Sequence, residues 1–384
     1  DGEPLDGRTR DFIITREFSS QPGDVFNQQQ IEQDLQNVFG LGIFDDVQLG
    51  LSPGSEDPRK VDIVVGVDEG QSGSIAAGVG FSTTGDLFGT ISYQEQNLGG
   101  NNQKLGAEVQ LSNRELLFDV SFTDPWIAGD PFRTSYTVNA FNRRSISLIF
   151  DGGENEVRLD NGDRPRVDRL GGGVSFTRPF DDVWTGSLGF QYQHVTIRDS
   201  DRDVNAVDAL GNDLSLSGTG EDDLWTVRAG LVQDLRNSAL RPTRGSLARL
   251  ATEQSVPIGA GSAFFNRLRG SYSLYLPLDL DFLSFSRPED SEVLAFNIQA
   301  GTILGDFPPY EAFALGGGNS VRGYDEGDLG SGQSFLQATV EYRFPFISII
   351  DGALFFDAAT DLGTGDDVIG DPAGARDKPG VGIG

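Results

Sequence analysis

The first seventy residues carry short apolar stretches of two different periods. Residues 12–18 are predicted as a strand and residues 27–39 as a helix, because the apolar side chains of the second segment share one helical face. Those side chains are Ile31, Leu35, Val38 and Phe39. Alternating apolar positions then predict two further strands, around residues 47–51 and 61–67. Strand, helix, strand and strand together predict one small α+β domain over residues 1–70.

The second predicted strand of this domain offers a candidate binding edge at Val47, Gln48 and Leu49. An exposed sheet edge can accept an extended peptide by β-augmentation, so these residues are a candidate site for unfolded chains. Edge strands are also common and usually protected. A spacer or plug without binding function is therefore an equally weighted alternative.

From residue 71 onward the hydrophobic period changes to two, which is typical of β-strands. In each segment one face is apolar without charge, and the other face is polar and often charged. Examples of the apolar face are Ile75, Ala77, Val79 and Phe81, then Phe118, Val120 and Phe122, then Leu188, Phe190 and Tyr192, and finally Leu336, Ala338, Val340 and Tyr342. The pattern predicts a large antiparallel sheet.

Three features favour a transmembrane β-barrel over a water-soluble sandwich. The strands run to about ten residues, longer than the usual five or six of soluble sheets, and aromatic residues cluster toward their ends. Short and long connections also alternate, as in barrels with short turns at one end and long loops at the other. The short connections lie near residues 99–102, 179–182 and 345–351, and the long ones at 145–166, 199–222 and 305–333. We predict a transmembrane antiparallel barrel over residues 71–384.

The number of strands indicates that the barrel is not closed by this sequence. About thirteen full strands run up to Ala359, and another begins at residues 381–384. No apolar run approaches the roughly 18 residues of a spanning helix. An odd, interrupted set leaves unpaired edges, which lipid does not tolerate. We expect closing strands beyond the C-terminal end, and, since the sequence lacks methionine and a signal segment, a mature or trimmed fragment.

Composition excludes several classes of function. The 58 acidic residues exceed the 29 Lys and Arg, which gives a net charge of -29 and repels nucleic acid. The chain has no cysteine and one histidine, His194, so thiolate sites, two-histidine metal sites and Ser-His-Asp sets are excluded. The sequence therefore predicts no enzyme activity, no cofactor, no metal and no nucleic-acid partner.

Acidic residues crowd two of the long loops. They are Asp151, Glu154, Glu156, Asp160 and Asp163, followed by Asp199, Asp201, Asp203, Asp208 and Asp213. Carboxylate clusters can bind Ca²⁺, but no spacing here matches a calcium loop. We interpret these segments as solvated loops that resist aggregation.

The longest loop, residues 305–333, contains an unusual motif. Its residues are Val321, Arg322, Gly323 and Tyr324. A solvated loop has no need of this combination, and loops of such length often fold back and carry function. If the loop enters the barrel lumen, Arg322 needs carboxylates, and Glu341 and Asp357 occupy lumen-facing positions of the next two strands. An arginine–carboxylate lock in the lumen is therefore a hypothesis.

These residues resemble the outer-membrane protein assembly factor superfamily, whose BamA-like members join periplasmic POTRA domains to a 16-stranded barrel. Residues 321–324 are similar to the signature loop motif of the family, which folds into the barrel interior. The family pairs the motif arginine with acidic residues on neighbouring strands, and Glu341 and Asp357 stand at the matching positions. Phe355, two residues before Asp357, would face the same contact.

The sequence departs from the family pattern at several points, and its tail resembles one branch of the family. Only one POTRA domain is present, where the family usually carries two or more, and the closing strands with their C-terminal aromatic signature are absent. Ala359 stands where the family tends to have Gly. Residues 370–380 are similar to the cyanobacterial and chloroplast outer-envelope translocon branch. The resemblance implies a cyanobacterial outer membrane, with the POTRA domain in the periplasm.

The resemblance also implies the function of an insertase or translocase that assembles β-barrel proteins into the outer membrane without nucleotide hydrolysis. Its partners would be unfolded outer-membrane protein clients, the lipid bilayer and, as a further option, other subunits of an assembly complex. Two alternatives stay open. A two-partner-secretion-type export pore would show a plug helix and a partner-specific domain, and a passive diffusion channel would have a lumen loop without a lock to the wall.

Overall fold

The structure is a computed structural model. It describes residues 7–54, 57, 59–81, 86–152, 155–259, 261, 263–278, 292–347, 350–365, 368 and 380–383. A small domain of helices and strands comes first, and a wall of antiparallel strands follows. Residues 370–379, which carry most of the similarity to the chloroplast branch, lie outside the described residues.

The described residues of the N-terminal domain form two helices and one hairpin. Its elements are α1 (Asp11–Thr15), α2 (Gln28–Phe39), β1 (Phe44–Pro53) and β2 (Val61–Glu69). Asn27 caps α2 by accepting a hydrogen bond from the backbone N–H of Gln30, as N-cap residues do. β1 pairs antiparallel with β2, with Val47 opposite Val67. The predicted helix and both predicted strands of the hairpin are confirmed.

The predicted strand at residues 12–18 is wrong, because α1 occupies this place. Ile13 is fully buried and packs in one core with Val38 and Ile43, whereas Phe12 is partly exposed. The backbone N–H of Arg16 donates to the carbonyl of Phe12, which closes a helical turn. Consecutive apolar residues give no period, so one turn of helix with one buried side chain was not distinguishable from a strand.

A buried carboxylate ties the segment after α1 to α2. Asp34 is 0% exposed and accepts hydrogen bonds from the Ser19 hydroxyl at 2.6 Å, the Ser19 backbone N–H at 3.1 Å and the Ser20 backbone N–H at 3.2 Å. Burial acts to raise the pKa of Asp34, but the hydrogen bonds from Ser19 and Ser20 outweigh it and lower the pKa to about 2.

In chain order, the remaining strands are β3 (Gly73–Phe81), β4 (Leu87–Leu98), β5 (Gln103–Ser112), β6 (Glu115–Asp124), β7 (Ser135–Ser145), β8 (Asp151–Gly152), β9 (Asn155–Glu156), β10 (Arg166–Pro179), β11 (Trp184–Arg198), β12 (Glu221–Asp234), β13 (Gly245–Val256), β14 (Phe264–Leu278), β15 (Glu292–Asp306), β16 (Phe313–Leu315), β17 (Gly330–Gly332), β18 (Ser334–Ile347), β19 (Ile350–Thr360) and β20 (Gly380–Ile383).

Fourteen of the described strands form one antiparallel sheet. Its order is β20-β19-β18-β15-β14-β13-β12-β11-β10-β7-β6-β5-β4-β3. Thirteen full strands up to Ala359 and a further short one are thus confirmed. The pairs β8–β9 and β16–β17 are separate small hairpins within the long connections.

The outer face of this sheet is strongly apolar and exposed. Ile75, Val79 and Phe81 of β3 are 77%, 84% and 78% exposed. In a water-soluble sandwich these side chains would form the core, whereas on a membrane barrel they contact lipid. The soluble alternative is therefore excluded. Among the described residues, no helix has the length and apolarity needed to cross a membrane.

Long connections fold over one end of the barrel. Their buried apolar residues pack in one cluster with inward-facing strand residues, which we call the outer closure. It contains, among others, Ile149, Phe150, Leu159, Val195, Ile197, Leu214, Leu224, Phe265 and Ile303. Glu154 lies outside the described residues, but Asp151, Asp199 and Asp208 are buried in these connections, and Asp151 forms ion pairs with Arg114 and Arg164. The interpretation as solvated loops is wrong for these residues, because composition does not distinguish a paired carboxylate from a hydrated one.

The N-terminal domain contacts the short turns at the opposite end of the barrel. The Arg10 backbone N–H donates to the Gly100 carbonyl at 2.9 Å, and the Asn97 amide donates to the Thr9 hydroxyl at 2.8 Å. Gly100 has a φ of +74°, and a Cβ on it would lie 1.7 Å from the Arg8 oxygen. Only glycine fits between the domain and this turn.

A tryptophan fixes the second turn to the domain. The Trp126 ring lies between two cations, with the guanidinium of Arg16 5.0 Å and that of Arg133 4.5 Å from its centroid. Arg133 also pairs with the buried Glu17 at 3.0 Å. The Arg16 side chain is largely buried, so its cation–π contact is worth up to about 2 kcal/mol, whereas that of the half-exposed Arg133 is worth about 0.5–1 kcal/mol. The domain is thus attached to the barrel at two turns.

We expect Asp34→Asn to destabilise the N-terminal domain by about 2 kcal/mol, because an amide cannot accept all the hydrogen bonds from Ser19 and Ser20. In the wild type the folded pKa lies below the unfolded value of about 3.9, so this stabilisation is present above about pH 4 and lost as the pH falls toward 2. Hydrogen-exchange protection of the α2 amides measures it. Asp68→Asn, which changes an exposed carboxylate on β2, is the control, and equal protection in both variants would contradict the role of Asp34.

Candidate functional site in the barrel lumen

The segment between β15 and β18, residues 307–333, packs against lumen-facing residues of the wall, and we call it the lumen loop. It contains a short 3-10 helix, η1 (Pro309–Glu311), and the β16–β17 hairpin. Val321 is fully buried and forms a small apolar cluster with Leu315 and with Ala359 of β19. This cluster places the backbone of the next residue, Arg322, beside β19.

Arg322 binds two wall carboxylates at once. Its Nε donates to Asp357 Oδ2 at 2.7 Å and its Nη2 to Asp357 Oδ1 at 2.8 Å, while Nη1 donates to Glu341 Oε2 at 2.7 Å. The backbone N–H of Arg322 also donates to Asp357. Bidentate, charge-assisted bonds of this kind are among the strongest in proteins. We call this arrangement the Arg322 lock.

Neighbouring groups complete the lock. The Arg322 guanidinium carbon lies 3.4 Å from the ring centroid of Phe355, and Arg343 Nε donates to the second oxygen of Glu341 at 2.5 Å. The hydrogen bonds to Asp357 and Glu341 raise the pKa of Arg322 above its ordinary value, so the side chain stays charged. The structure thus brings Arg322, Glu341, Asp357 and Phe355 together.

The other two motif residues, Gly323 and Tyr324, lie beside the Arg322 lock and have different roles. Gly323 has a φ of +100°, and no atom lies within 4 Å of where its Cβ would be, so the backbone conformation rather than space calls for glycine. Tyr324 packs at the edge of the cluster that contains Val321. Gln337 of β18, which the sequence reasoning did not single out, donates to the Ser320 carbonyl at 3.1 Å and holds the backbone next to the motif.

The candidate binding edge lies on β1, far along the chain from the lock. Val47, Gln48 and Leu49 face Val67, Gly66 and Val65 of β2, and no other described strand pairs with β1. Gln48 is exposed, whereas Val47 and Leu49 are partly buried. One side of the β1 backbone is therefore an open edge within the part of the chain that the structure describes.

A second contact of the lumen loop was not apparent from the sequence. Glu311 forms ion pairs with Arg169 of β10 and Arg267 of β14, and the Tyr310 hydroxyl donates to Asp222 at 2.7 Å. The available signal was that both arginines fall on lumen-facing positions of their strands. Their partner was not identifiable, because Glu311 is 142 and 44 residues away from them along the chain.

The fold and site define a class of protein: an outer-membrane β-barrel with an arginine-anchored lumen loop, and a POTRA domain on its periplasmic side. The family model described as the Omp85 superfamily domain matches residues 97–384. The POTRA model, described as the surface antigen variable number repeat, matches residues 6–70. The chain belongs to the Omp85 superfamily.

Curated relatives of the chain include proteins of the chloroplast outer envelope. The chain is 34% identical over 391 residues to outer envelope protein 80 of Arabidopsis thaliana, and this match covers 100% of the chain and 50% of the relative. It is 27% identical over 401 residues to protein TOC75 of Pisum sativum, and this match covers 97% of the chain and 49% of the relative. The chain spans about half the length of these relatives. They support the predicted cyanobacterial branch and its outer-membrane location.

A solved structure has the same fold. BamA from Haemophilus ducreyi lacking POTRA domains 1-3 superimposes with a TM-score of 0.72 at 19% identity, covering 92% of this chain and 69% of that one. This likeness supports the predicted fold class, a β-barrel preceded by a POTRA domain.

We expect Arg322→Lys to loosen the lumen loop. A lysine keeps the charge but cannot bind Asp357 with two nitrogens and Glu341 with a third, which leaves a buried carboxylate partly unpaired at a cost of about 1–3 kcal/mol. The variant should show faster proteolysis of residues 307–333 and lose its heat-modifiable gel migration at a lower temperature. Arg241→Lys is the matched control, because Arg241 pairs with Asp351 at an exposed position. Wild-type behaviour of Arg322→Lys would argue against the lock.

Proposed function

We propose that this protein is an insertase that assembles β-barrel proteins into the outer membrane without nucleotide hydrolysis. The observation that carries the proposal is the Arg322 lock, which fastens the lumen loop to β18 and β19. A diffusion channel needs no such lock. A loop held to these strands supports the wall near one end of the described sheet, where β20 pairs with β19.

The other end of the described sheet offers a place for client strands. Among the described strands β3 pairs with β4 alone, so its other side is where the closing strands that we expect after the C-terminal end of this sequence would pair, at a first-to-last strand seam. Three of the nine residues of β3 are glycine, and its outward apolar side chains are highly exposed. If this seam opens, a client strand can pair with β3 by β-augmentation, because unpaired backbone groups in lipid strongly favour pairing.

The POTRA domain provides an earlier contact for the same client. β2 ends at Glu69 and β3 begins at Gly73, so the β1–β2 sheet is joined to β3, the first strand of the barrel, by a very short connection. Glu69 accepts a hydrogen bond from the Arg8 backbone N–H at 3.0 Å, which holds this connection against the N-terminal segment. An extended client bound at Val47, Gln48 and Leu49 would lie close to the sheet that it later joins.

Reconstitution tests the insertase directly. Proteoliposomes that contain the protein should accelerate folding of a urea-denatured barrel client without nucleotide, measured as the heat-modifiable client band. Arg322→Ala should lower the rate about tenfold, because removal of one partner of a buried ion pair costs several kcal/mol. Arg241→Ala serves as the control. An unchanged rate in Arg322→Ala would contradict the proposal, and a protein that conducts ions without accelerating folding would be a diffusion channel.

Photocrosslinking tests the POTRA edge. A photoreactive amino acid at Gln48 should capture a denatured barrel client, because this residue is exposed on the open strand β1. The same group at Gln33 is the matched control, since Gln33 is an exposed glutamine of the same domain that lies on helix α2 rather than on a strand. Equal capture at both positions would mean that clients bind the domain without preference for the β1 edge.

A further inference from the structure

The second contact of the lumen loop has the reverse polarity of the Arg322 lock. Here the loop supplies the carboxylate of Glu311, and the wall supplies the guanidinium groups of Arg169 and Arg267. Arg267 also donates to the backbone oxygen of Glu311. The Glu311 and Arg267 side chains are only 10% and 11% exposed. The contact is therefore largely removed from solvent.

Glu311 joins distant parts of the wall. Arg169 lies on β10 and Arg267 on β14, which are separated by β11, β12 and β13 in the sheet. On a flat sheet, four spacings of about 4.8 Å would put these strands about 19 Å apart. One carboxylate nevertheless binds both arginines. The wall therefore curves around Glu311, and the loop crosses the lumen at this point.

The residues next to Glu311 belong to the outer closure. Tyr310 and Phe313 are buried in the same cluster as Phe265 and Ile303. The Tyr310 hydroxyl donates to Asp222, whose carboxylate also accepts from the backbone N–H groups of two residues in the β11–β12 loop, Leu216 and Ser217. The segment around η1 thus connects the lumen loop with the loops that cover the barrel.

A polar cavity of about 570 Å³ lies on the other side of Glu311. Its lining includes Asn139, Arg143, Gln191 and Arg228, together with Arg169 and Glu311. Glu311 is therefore at the boundary between water-accessible lumen space and the apolar outer closure. A carboxylate at such a boundary needs its cationic partners, because an unpaired charge there would be drawn back toward water.

We infer that Glu311 is a positioning residue that keeps the lumen loop seated under the outer closure and so blocks ion flow through the barrel. Arg322 fixes the loop at β18 and β19, and Glu311 fixes it at β10 and β14. Release of Glu311 alone would free the η1 segment and the apolar residues around it, while the Arg322 lock stays intact. The inference goes beyond the insertase proposal, since ion flow requires no client.

Single-channel recording in planar bilayers tests this inference. Glu311→Gln keeps the size of the side chain but removes its charge, and we expect the fraction of time in the conducting state to rise about tenfold. Glu326→Gln is the matched control, because Glu326 lies in the same loop and accepts a hydrogen bond from the Gly318 backbone N–H. Glu326→Gln should conduct like the wild type. Wild-type conduction by Glu311→Gln would overturn the inference.

A thiol pair provides a test that does not depend on one variant. The chain contains no cysteine, so Glu311→Cys combined with Arg267→Cys introduces the only two thiols. The unbridged pair should conduct more than the wild type, and a short bifunctional maleimide that joins the thiols should return conduction to the wild-type level. High conduction after bridging, or wild-type conduction before it, would overturn the inference. Client folding is measured in parallel, so a failed insertase proposal leaves the conduction result unaffected.

Discussion

A carboxylate that is withdrawn from water inside the barrel wall is the constraint on which the lumen loop depends. The Asp357 side chain is 1% exposed, and an isolated charge at such a position costs several kcal/mol. Arg322 offsets this cost with two guanidinium nitrogens and its own backbone N–H. The position of Arg322 in turn requires that Val321 enters the apolar cluster and that Gly323 turns the chain. One buried charge on β19 therefore sets the path of the loop.

The two ionic contacts of the loop involve different strands of the wall. The loop supplies a cation to β18 and β19 and an anion to β10 and β14, so an exchange of the two contacts would place like charges together. Reversed polarity thus specifies the register of the loop in addition to holding it. In a chain with a net charge of -29, these inward-facing arginines also let acidic groups remain inside the barrel without repulsion.

The sequence was sufficient to predict the features that follow from a regular alternation of apolar and polar residues. Alternation identified the strands, their outward faces and the lumen-facing positions of Glu341 and Asp357, and those positions then indicated partners for Arg322. The sequence was insufficient to predict features that no such alternation marks. The single turn of α1 has three consecutive apolar residues, and the sequence around Asp151 does not show that Arg114 and Arg164 surround it. The arginines that bind Glu311 belong to strands that only the curvature of the wall brings together.

The attachment of the POTRA domain has a geometric consequence. Thr9 and Arg10 bind the turn that contains Gly100, and Arg16 and Glu17 bind the turn that contains Trp126, on the two sides of the strand pair β5–β6. Two points of contact leave rotation only about the line that joins them. The directions that β1 can take relative to the barrel are therefore restricted to a single arc, and a polypeptide aligned along β1 would approach the membrane within that arc.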